Sequence, residues 1–496
     1  MLEEIITNTS VFLDSIPKAE RKKIGQFFTS KETAEYMASM FNFDGIPKQV
    51  TVLDAGAGTG ILSAALIERL EREPEIEDIH LTCYENDPIV IPLLKRNLEF
   101  ISGVAEKQFS YTLVEDDYLM TQAEAFEFRN MKDDTKKYDL IIGNPPYMRV
   151  MKDYEAAVAM SSVVHGAPNL YFLFAAMGLF NLKKECEMVY IIPRSWTSGA
   201  YFKAFRDYFL TDGKMEHIHL FISRDKVFSQ EQVLQETIVI KAKKTDKIPE
   251  NVLLTSSNSN YDFNNITSLI VPYSSVVTGS DNYVFLPTTQ EDIDTIQKIN
   301  KFSKTMPEYG YKMKTGIIVD FRQGEDLRKE HEEHTLPLFY SQHIKNGRVN
   351  HEKSGKEYEW VVDSKPGLIQ ENKDYVFCKR FTAKEERRRL QCGVYLASDF
   401  PEYHFIGTQN KINFVERLDK KPQSKEMVFG IFALLNSTLF DNYYRILNGS
   451  TQVNSTEINS IPVPDCELIE KMGKKLINQD DLSTEACDKV LEVAYG

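Results

Sequence analysis

The sequence has no long hydrophobic run. Its 496 residues contain no stretch near the ~18 apolar residues that a membrane-spanning helix needs, and the opening segment MLEEIITNTSVFLDS is acidic rather than basic. Six cysteines are scattered along the chain without a Cys-x-x-Cys pair. A membrane span, a signal peptide and a structural zinc site are therefore not expected, and this cysteine usage favours a cytoplasmic protein with reduced thiols.

An excess of basic residues is also lacking, since the formal net charge is −14. Such a charge, taken alone, counts against a nucleic-acid partner. The distribution is uneven, however, because Lys379–Arg389 contains six basic and two acidic residues. The composition is therefore compatible with an acidic enzyme that has a basic cleft. His331–His334 lacks the His-Glu-x-x-His spacing of a zinc enzyme, and no metal site is predicted.

Strand and helix patterns alternate through the first half of the chain. Short runs rich in β-branched residues, such as Gln49–Gly58, are followed by segments with apolar residues at helical spacing, such as the one that begins at Ile61. This alternation predicts a parallel sheet with helices on both faces. Seven strands, the last two forming an antiparallel pair, predict a Rossmann-like α/β domain over residues 1–245.

The pattern changes after Lys244. Residues 246–280 are rich in Ser, Asn and Asp, and this composition predicts a linker. Residues 281–496 combine short strands with helical interludes and a helical C-terminal segment. They predict a second domain of mixed α/β structure.

Glycines and acidic residues mark the ends of the first three strands. Gly56, Gly58 and Gly60 follow the first strand, where glycines let the backbone turn tightly against a ligand. Glu85 ends the second strand, and Glu115–Asp117 ends the third. The carboxyl ends of parallel strands share the edge of the sheet that binds ligands. The G-x-G-x-G spacing differs from that of dinucleotide sites, so the pattern favours an adenosine-containing cofactor without a pyrophosphate, with a purely structural loop as the alternative.

The fourth strand ends in Asn144-Pro145-Pro146-Tyr147. The two prolines fix φ and remove two N–H donors, which makes the turn stiff. Such a turn can simply end a strand. It can also hold the Asn144 amide oxygen beside a backbone carbonyl oxygen, as two acceptors for the two hydrogens of an exocyclic amino group. Tyr147 can then stack on the ring that bears this amino group.

Together these motifs resemble the N6-adenine DNA methyltransferases of restriction-modification systems, in the gamma-class order of the TaqI and PstI types. The resemblance extends over most of residues 22–244 and is weaker beyond them. It implies S-adenosylmethionine as the cofactor and an adenine in DNA as the methyl acceptor. The cofactor-binding residues that it implies are Gln26, Phe28, Thr29, Asp54, Gly56, Glu85 and Asp117, with Asp116 as an alternative to Asp117.

The resemblance also implies how the target base is held. The catalytic residues that it implies are Asn144, Pro145, Tyr147 and Phe228. Because an adenine amino group is hidden within a duplex, the base has to be flipped out of the stack into the site. Phe228 is implied to pack on the face of the base opposite Tyr147, although an ordinary core aromatic is the alternative.

DNA recognition is expected in the second domain. Three segments there resemble target-recognition segments of the family, although each also fits a solvated surface or loop: Thr315–Arg322, Lys379–Arg389 and Asn448–Pro464. The candidate phosphate ligands are Lys379, Arg380, Arg387 and Arg388.

The expected partners are double-stranded DNA and a separate cognate restriction endonuclease, with no membrane and no metal. A separate endonuclease is expected because about 24 residues precede the G-Q-F-F segment and the C-terminal half is assigned to recognition. One alternative is a methyltransferase that acts on an adenine in RNA or on another amino group. The other is a non-catalytic DNA-recognition subunit, against which the intact Asn144 and Tyr147 count.

Overall fold

The chain divides into two units near residue 288. The computed structural model describes residues 1–15, 29–129, 135–222, 236–383, 386–448 and 451–496. The first unit comprises residues 1–197 and 201–288, and the second comprises residues 198–200 and 289–496. Across the described ranges, no helix is both long and apolar enough to cross a membrane. All six cysteines lie in these ranges, and each has a free thiol.

One mixed sheet organises the first unit. Its strands are β1 Gln49–Ala55, β2 Asp78–Tyr84, β3 Gln108–Val114, β4 Tyr138–Gly143, β5 Leu182–Pro193, β6 Gly213–Phe221, β7 Thr237–Lys244, β8 Asn251–Ser257 and β9 Thr267–Pro272. In the described part of the chain they follow the order β3–β2–β1–β4–β5–β7–β6–β8–β9. The first five are parallel, and β7 runs antiparallel to both β5 and β6. The predicted Rossmann-like α/β fold with a closing antiparallel pair is therefore confirmed.

The described sheet contains two strands more than the seven predicted. β8 pairs in parallel with β6, and β9 pairs antiparallel with β8. Both lie within residues 246–280, so the prediction of a linker there is wrong. One polar pair crosses these strands, since the hydroxyls of Ser256 and Thr267 lie 2.6 Å apart. The boundary between the units falls after residue 288 rather than at residue 280.

Helices cover both faces of this sheet. They are α1 Leu2–Ser15, α2 Lys31–Ser39, α3 Ile61–Glu71, α4 Ile91–Val104, α5 Tyr118–Glu127, α6 Glu155–Ala159, α7 Leu170–Asn181, α8 Lys203–Asp212 and α9 Tyr273–Val276. One hydrophobic core contains residues of the helices α1, α2, α3 and α4, together with alternate residues of β1, β2 and β4. α7 is buried along its whole length, because its sequence LYFLFAAMGLFN has no charged residue. The short strands β10 Val277–Thr278 and β11 Tyr283–Val284 form a separate pair.

The second unit contains two smaller sheets and five larger helices among its described residues. The six-stranded sheet has β12 Tyr311–Thr315, β22 Ile412–Arg417, β19 Tyr375–Lys379, β20 Cys392–Tyr395, β16 Arg348–Val349 and β15 Ile344–Lys345, in that order. The five-stranded sheet has β13 Leu327–Arg328, β17 Trp360–Val362, β14 Thr335–Phe339, β21 Phe405–Thr408 and β18 Ile369–Glu371. The helices are α10 Gln290–Ile299, α11 Lys425–Asn436, α12 Thr438–Leu447, the short α13 Ser455–Asn459, α14 Cys466–Gln479 and α15 Thr484–Tyr495. The second unit is therefore mixed α/β, as predicted.

Candidate active site

A cavity of ≈ 350 Å³ lies at the carboxyl ends of β1 to β4. This volume lies within the range of about 300–1,000 Å³ that is usual for small-molecule sites. The residues that line it include Thr29, Gly56, Gly58, Thr59, Glu85, Asp87, Asp116, Asp117, Asn144, Pro145, Tyr154 and Phe174. The glycine loop, the acidic strand ends and the Asn-Pro-Pro turn therefore meet at one place in the first unit.

The glycine loop between β1 and α3 is folded back against β2. The backbone N–H groups of Gly56 and Ala57 both donate to the carbonyl oxygen of Tyr84, each at 2.9 Å. Gly56, Gly58 and Gly60 have φ values of 72°, 56° and 87°. These values lie in the left-handed region that glycine adopts without strain. The loop conformation therefore depends on glycine at these positions.

Glu85 is held by backbone N–H groups at the end of β2. Its Oε2 accepts from Gly58 at 2.8 Å, and its Oε1 accepts from Asn86 at 3.0 Å and Asp87 at 2.9 Å. Burial raises the pKa of Glu85, and the three N–H groups act against this by stabilising the charged form. The carboxylate thus has a fixed orientation at the cavity and also fixes the glycine loop.

Asp117 begins α5 and is held from two sides. Its Oδ1 accepts from the backbone N–H of Met120 at 3.1 Å, and its Oδ2 accepts the Tyr154 hydroxyl at 2.9 Å. The neighbouring Asp116 is exposed, and its Oδ1 accepts from the N–H of Asp117 at 2.7 Å. Both carboxylates line the cavity. They differ in that Asp117 is anchored to a helix and a second side chain.

β4 carries Asn144 to the wall of the cavity. Gly143 precedes it because a Cβ there would lie 2.9 Å from the ring of Tyr190 on β5. The Asn144 Nδ2 donates to Thr29 Oγ1 at 3.1 Å, and the Tyr147 hydroxyl donates to Asn144 Oδ1 at 3.0 Å. Among the described residues, none donates to the carbonyl oxygen of Pro145.

Tyr147 turns its hydroxyl toward the sheet. The hydroxyl oxygen lies 3.0 Å from both Asn144 Oδ1 and the Ile191 carbonyl oxygen, to either of which it can donate. Burial raises the pKa of Tyr147, so the phenol stays protonated and acts as a donor. Its ring meets Tyr171 edge-on with centroids 6.3 Å apart. Tyr147 therefore lies beside the cavity and orients Asn144.

The structure brings most of the predicted site residues together. Those that line the cavity are Thr29, Gly56, Glu85, Asp117, Asn144 and Pro145. Gln26, Phe28 and Phe228 lie outside the described residues. Their roles stay predictions.

Asp54 takes a different position from the one implied. It is fully buried at the end of β1, and the Ser63 hydroxyl donates to its Oδ2 at 2.6 Å. Burial raises the pKa of Asp54 to about 7. Because Asp54 is absent from the cavity lining, direct contact with a cofactor does not match its position. Its contact with Ser63 instead ties β1 to α3, on either side of the glycine loop.

Several lining residues escape the sequence analysis, among them Tyr154, Phe174 and Asp87. Tyr154 lies seven residues after Tyr147 in a segment without a recognisable pattern, yet it contacts Asp117. Phe174 belongs to the uniformly apolar α7, where periodicity cannot tell which face meets a cavity. A Cβ on Gly56 would lie 3.6 Å from its ring. Asp87, two residues after Glu85, is the one that the acidic pattern of the β2 end could have indicated.

In the second unit, loops meet at one end of the six-stranded sheet. β12 and β19 both end beside the start of β22, because Thr315 pairs with Asn413 and Lys379 pairs with Ile412. Beyond the strands, isolated bridges join Ile318 to Gln409 and Phe381 to Gln452. Described parts of the three segments predicted to contact DNA therefore lie side by side. We name residues 316–322, 380–383, 409–411 and 451–453 the loop cluster.

Aromatic rings project from the loop cluster. Phe321 is 84% exposed and Phe381 is 45% exposed. The guanidinium group of Arg322 lies 5.5 Å from the Phe321 ring centroid, and that of Arg380 lies 5.6 Å from the Phe381 centroid. The cluster thus presents large apolar groups paired with cations.

The basic candidates near the loop cluster differ in their surroundings. Arg388 donates to the Ser437 carbonyl oxygen at 3.0 Å and to Thr484 Oγ1 at 3.2 Å, which places it among the helices. Arg380 donates to the carbonyl oxygen of Asn410 at 3.0 Å. Arg387 is exposed, and Lys379 is half-buried. The contacts of Arg388 indicate a structural role rather than the predicted phosphate contact.

One group in the second unit has the composition of a metal site. Among the described residues, His343, His351 and Glu359 place three potential ligand atoms within 4.8 Å of one another. The Tyr340 N–H donates to His343 Nδ1 at 3.0 Å, so the neutral ring carries its proton on Nε2, the atom 3.7 Å from Glu359 Oε2. A protonated nitrogen cannot ligate a metal, and we assign no metal to this group.

The fold and the cavity together define a Rossmann-like methyltransferase. The family model of the Eco57I restriction-modification methylase matches residues 70–228. Type II methyltransferase M.BsuBI of Bacillus subtilis is 32% identical over 479 residues, which cover 95% of this chain and 94% of the relative. Type II methyltransferase M.PstI of Providencia stuartii is 30% identical over 483 residues, 94% of each chain. The chain therefore belongs to the type II DNA methyltransferases of restriction-modification systems.

A solved structure shows the same fold. The type IIL restriction-modification enzyme MmeI, solved in complex with DNA, matches 100% of this chain and 74% of its own with a TM-score of 0.50 and 12% identity. At this identity the match concerns the fold alone.

Proposed function

We propose that this enzyme transfers the methyl group of S-adenosylmethionine to N6 of an adenine flipped out of a specific duplex DNA sequence. The methylated site is protected from a separate cognate restriction endonuclease. The observation that carries the proposal is the arrangement of Asn144 and Pro145. Their amide and carbonyl oxygens lie on the wall of a cavity whose other residues suit an adenosine-containing cofactor.

The residues of the cavity fit S-adenosylmethionine. Glu85, anchored by three backbone N–H groups, suits the two ribose hydroxyls. Asp117 suits the adenine amino group, since a fixed carboxylate accepts a hydrogen bond. Thr29 precedes α2, whose N-terminus favours the cofactor's carboxylate. The glycine loop allows the cofactor to approach its backbone closely, because glycines carry no side chain. We assign Asp54 a supporting role behind this loop.

The chemistry requires an uncovered nitrogen lone pair on the target base. The amino group donates its two hydrogens to Asn144 Oδ1 and the Pro145 carbonyl oxygen, which draws the lone pair out of conjugation with the ring. The bound cofactor supplies an electrophilic methyl group on a sulfonium. Attack by the nitrogen on this methyl group would break the carbon–sulfur bond as the nitrogen–carbon bond forms, and the base would then lose one proton to solvent. Asn144 is held for this task by Thr29 and Tyr147.

Flipping the adenine out of the duplex costs a few kcal/mol. Stacking on Tyr147 offsets part of this, at about 1–3 kcal/mol per base. Because its hydroxyl is bonded toward the sheet, Tyr147 is restrained on one edge while its ring can receive the base. We propose that Phe228 packs on the other face.

The loop cluster of the second unit is our candidate for the DNA-reading surface. Exposed aromatic rings paired with arginines suit contacts with base edges and the phosphate backbone. Arg387 is a candidate phosphate ligand because it is exposed.

The test is to express the protein in cells without their own adenine methylation and to sequence their DNA by a single-molecule method that reports modified bases. N6-methyladenine in one sequence context is the expected result. Purified protein with tritiated S-adenosylmethionine should label duplex DNA and leave structured RNA unlabelled. Labelled RNA with unlabelled DNA, or a methylated cytosine, would overturn the proposal.

A further inference from the structure

Helix α1 packs beside the glycine loop. Leu2, Ile5 and Thr9 follow one another at helical spacing and are all buried. Leu2 and Ile5 join the hydrophobic core that contains residues of α3 and α4. Thr9, which is 3% exposed, is the polar residue of this face. A buried hydroxyl requires hydrogen-bond partners, and those of Thr9 lead to the cavity.

Thr9 is bonded to the side chain of Thr59. The Thr9 hydroxyl donates to the Ile5 carbonyl oxygen at 2.7 Å, which uses its one hydrogen. The same hydroxyl can donate instead to Thr59 Oγ1, which lies 2.8 Å away. Thr59 is buried, and it lines the cavity between Gly58 and Gly60.

A second chain of hydrogen bonds reaches the same loop residue. The Nδ2 of Asn97, which is fully buried on α4, donates to the Thr59 carbonyl oxygen at 2.8 Å. The Oδ1 of Asn97 accepts from Nδ2 of Asn8 on α1 at 3.1 Å. Adjacent residues of α1 thus restrain both the side chain and the backbone of Thr59.

This restraint bears on ligand binding because the loop is rich in glycine. Gly58 and Gly60 have the greatest conformational freedom of any residue type, and the Gly58 N–H has to meet Glu85 in the folded state. A loop that is ordered before the ligand arrives loses less conformational entropy on binding. Thr9, which does not line the cavity, can therefore affect its affinity.

We infer that Thr9 is a positioning residue, which orders the glycine loop through Thr59 and thereby sets the affinity for the cofactor. The cofactor part of this inference rests on the proposed function. The ordering of the loop does not, because it concerns the ligand-free protein.

The test compares three substitutions in the full-length protein. Thr9→Val keeps the shape and removes the hydroxyl, Thr9→Ser restores a hydroxyl, and Thr7→Val is the matched control on the exposed face of the same helix. Amide hydrogen exchange of residues 56–60 is measured without ligand. The dissociation constant for S-adenosylmethionine and kcat at saturating cofactor are measured for each variant.

Thr9→Val should speed amide exchange in residues 56–60 and raise the dissociation constant for S-adenosylmethionine about tenfold. It should leave kcat within about twofold of the wild-type value. Thr9→Ser should restore most of the affinity, and Thr7→Val should match the wild type. Loop exchange as slow in Thr9→Val as in Thr7→Val would overturn the inference. Equally faster exchange throughout both units would also overturn it, since Thr9 would then be a general stabilising residue. If the wild type binds no S-adenosylmethionine, the proposed function fails, while the exchange measurement still decides the role of Thr9.

Discussion

The cavity of the first unit is lined by fixed polar groups, whereas the loop cluster of the second presents exposed aromatic rings. At the cavity, Glu85 and Asn144 are each held by several hydrogen bonds and still line the open space. At the loop cluster, the rings of Phe321 and Phe381 are 84% and 45% exposed. This difference supports our proposal that the first unit carries out the chemistry at fixed positions and that the second contacts DNA over a surface. Substitutions in the two regions should therefore change different measured quantities.

The largest effect is expected at Asn144. Asn144→Ala should lower kcat at least about a thousandfold, because the target amino group loses an acceptor that acts on the transition state. The dissociation constant for S-adenosylmethionine should change by less than about threefold. Tritiated methyl transfer and calorimetric titration measure the two quantities. Asn144→Asp, which keeps an acceptor oxygen at this position, should retain more activity than Asn144→Ala. Turnover of Asn144→Ala near that of the wild type would remove the proposed mechanism.

The two neighbouring aspartates at the end of β3 give a matched pair. Asp117→Asn should raise the dissociation constant for S-adenosylmethionine about tenfold, since one fixed acceptor atom is lost. Asparagine can still cap the N-terminus of α5. Asp116→Asn, at an exposed position, should bind within about twofold of the wild type. Duplex DNA affinity should stay unchanged in both variants, which keeps the effect within the first unit. A larger loss in Asp116→Asn would show that Asp116 contacts the cofactor.

The sequence predicts the cavity well where strands deliver its residues. Apolar runs locate the ends of β1, β2 and β4, and the shared edge of parallel strands then brings Gly56, Glu85 and Asn144 together. Spacing along a strand carries no information on depth, so the burial of Asp54 behind the loop was not foreseen. Tyr154 could not be predicted either, because its contact with Asp117 depends on how a loop folds back.

Composition misleads in the polar segments. Residues 246–280 look like a linker, yet β8 extends the sheet, and the Asn260 carbonyl oxygen accepts from the hydroxyls of Ser30 and Thr33 at the start of α2. A run of basic residues likewise looks like one phosphate-binding patch. The arginines of this run differ in their surroundings, because Arg388 donates hydrogen bonds to Ser437 and Thr484, which lie 49 and 96 positions further along the chain. Long-range partners of this kind are not encoded in local pattern.

The aromatic rings of the loop cluster test the other side of the comparison. Phe321→Ala should lower the affinity for duplex DNA about fivefold, because a large exposed ring is lost from the proposed contact surface. Phe405→Ala removes a ring that is 41% exposed on β21 of the five-stranded sheet, and it serves as the control. Fluorescence anisotropy with labelled duplex measures the affinity, and S-adenosylmethionine binding should be unaffected. Equal DNA affinities for the two variants would separate the loop cluster from DNA recognition.

The smallest effect on DNA affinity is expected at Arg387. Comparing Arg387 with the adjacent Arg388 distinguishes a charge that contacts DNA from one that stabilises the fold. Arg387→Ala should lower the affinity for DNA about threefold. It should also reduce the slope of log affinity against log salt concentration by about one, because one phosphate contact is lost. Its melting temperature should match that of the wild type, since Arg387 is exposed. Arg388→Ala should instead lower the melting temperature by a few degrees, because its contacts with Ser437 and Thr484 hold two helices. Salt titrations and thermal melts of both variants decide the matter. An unchanged salt slope in Arg387→Ala would mean that this exposed charge does not contact the phosphate backbone.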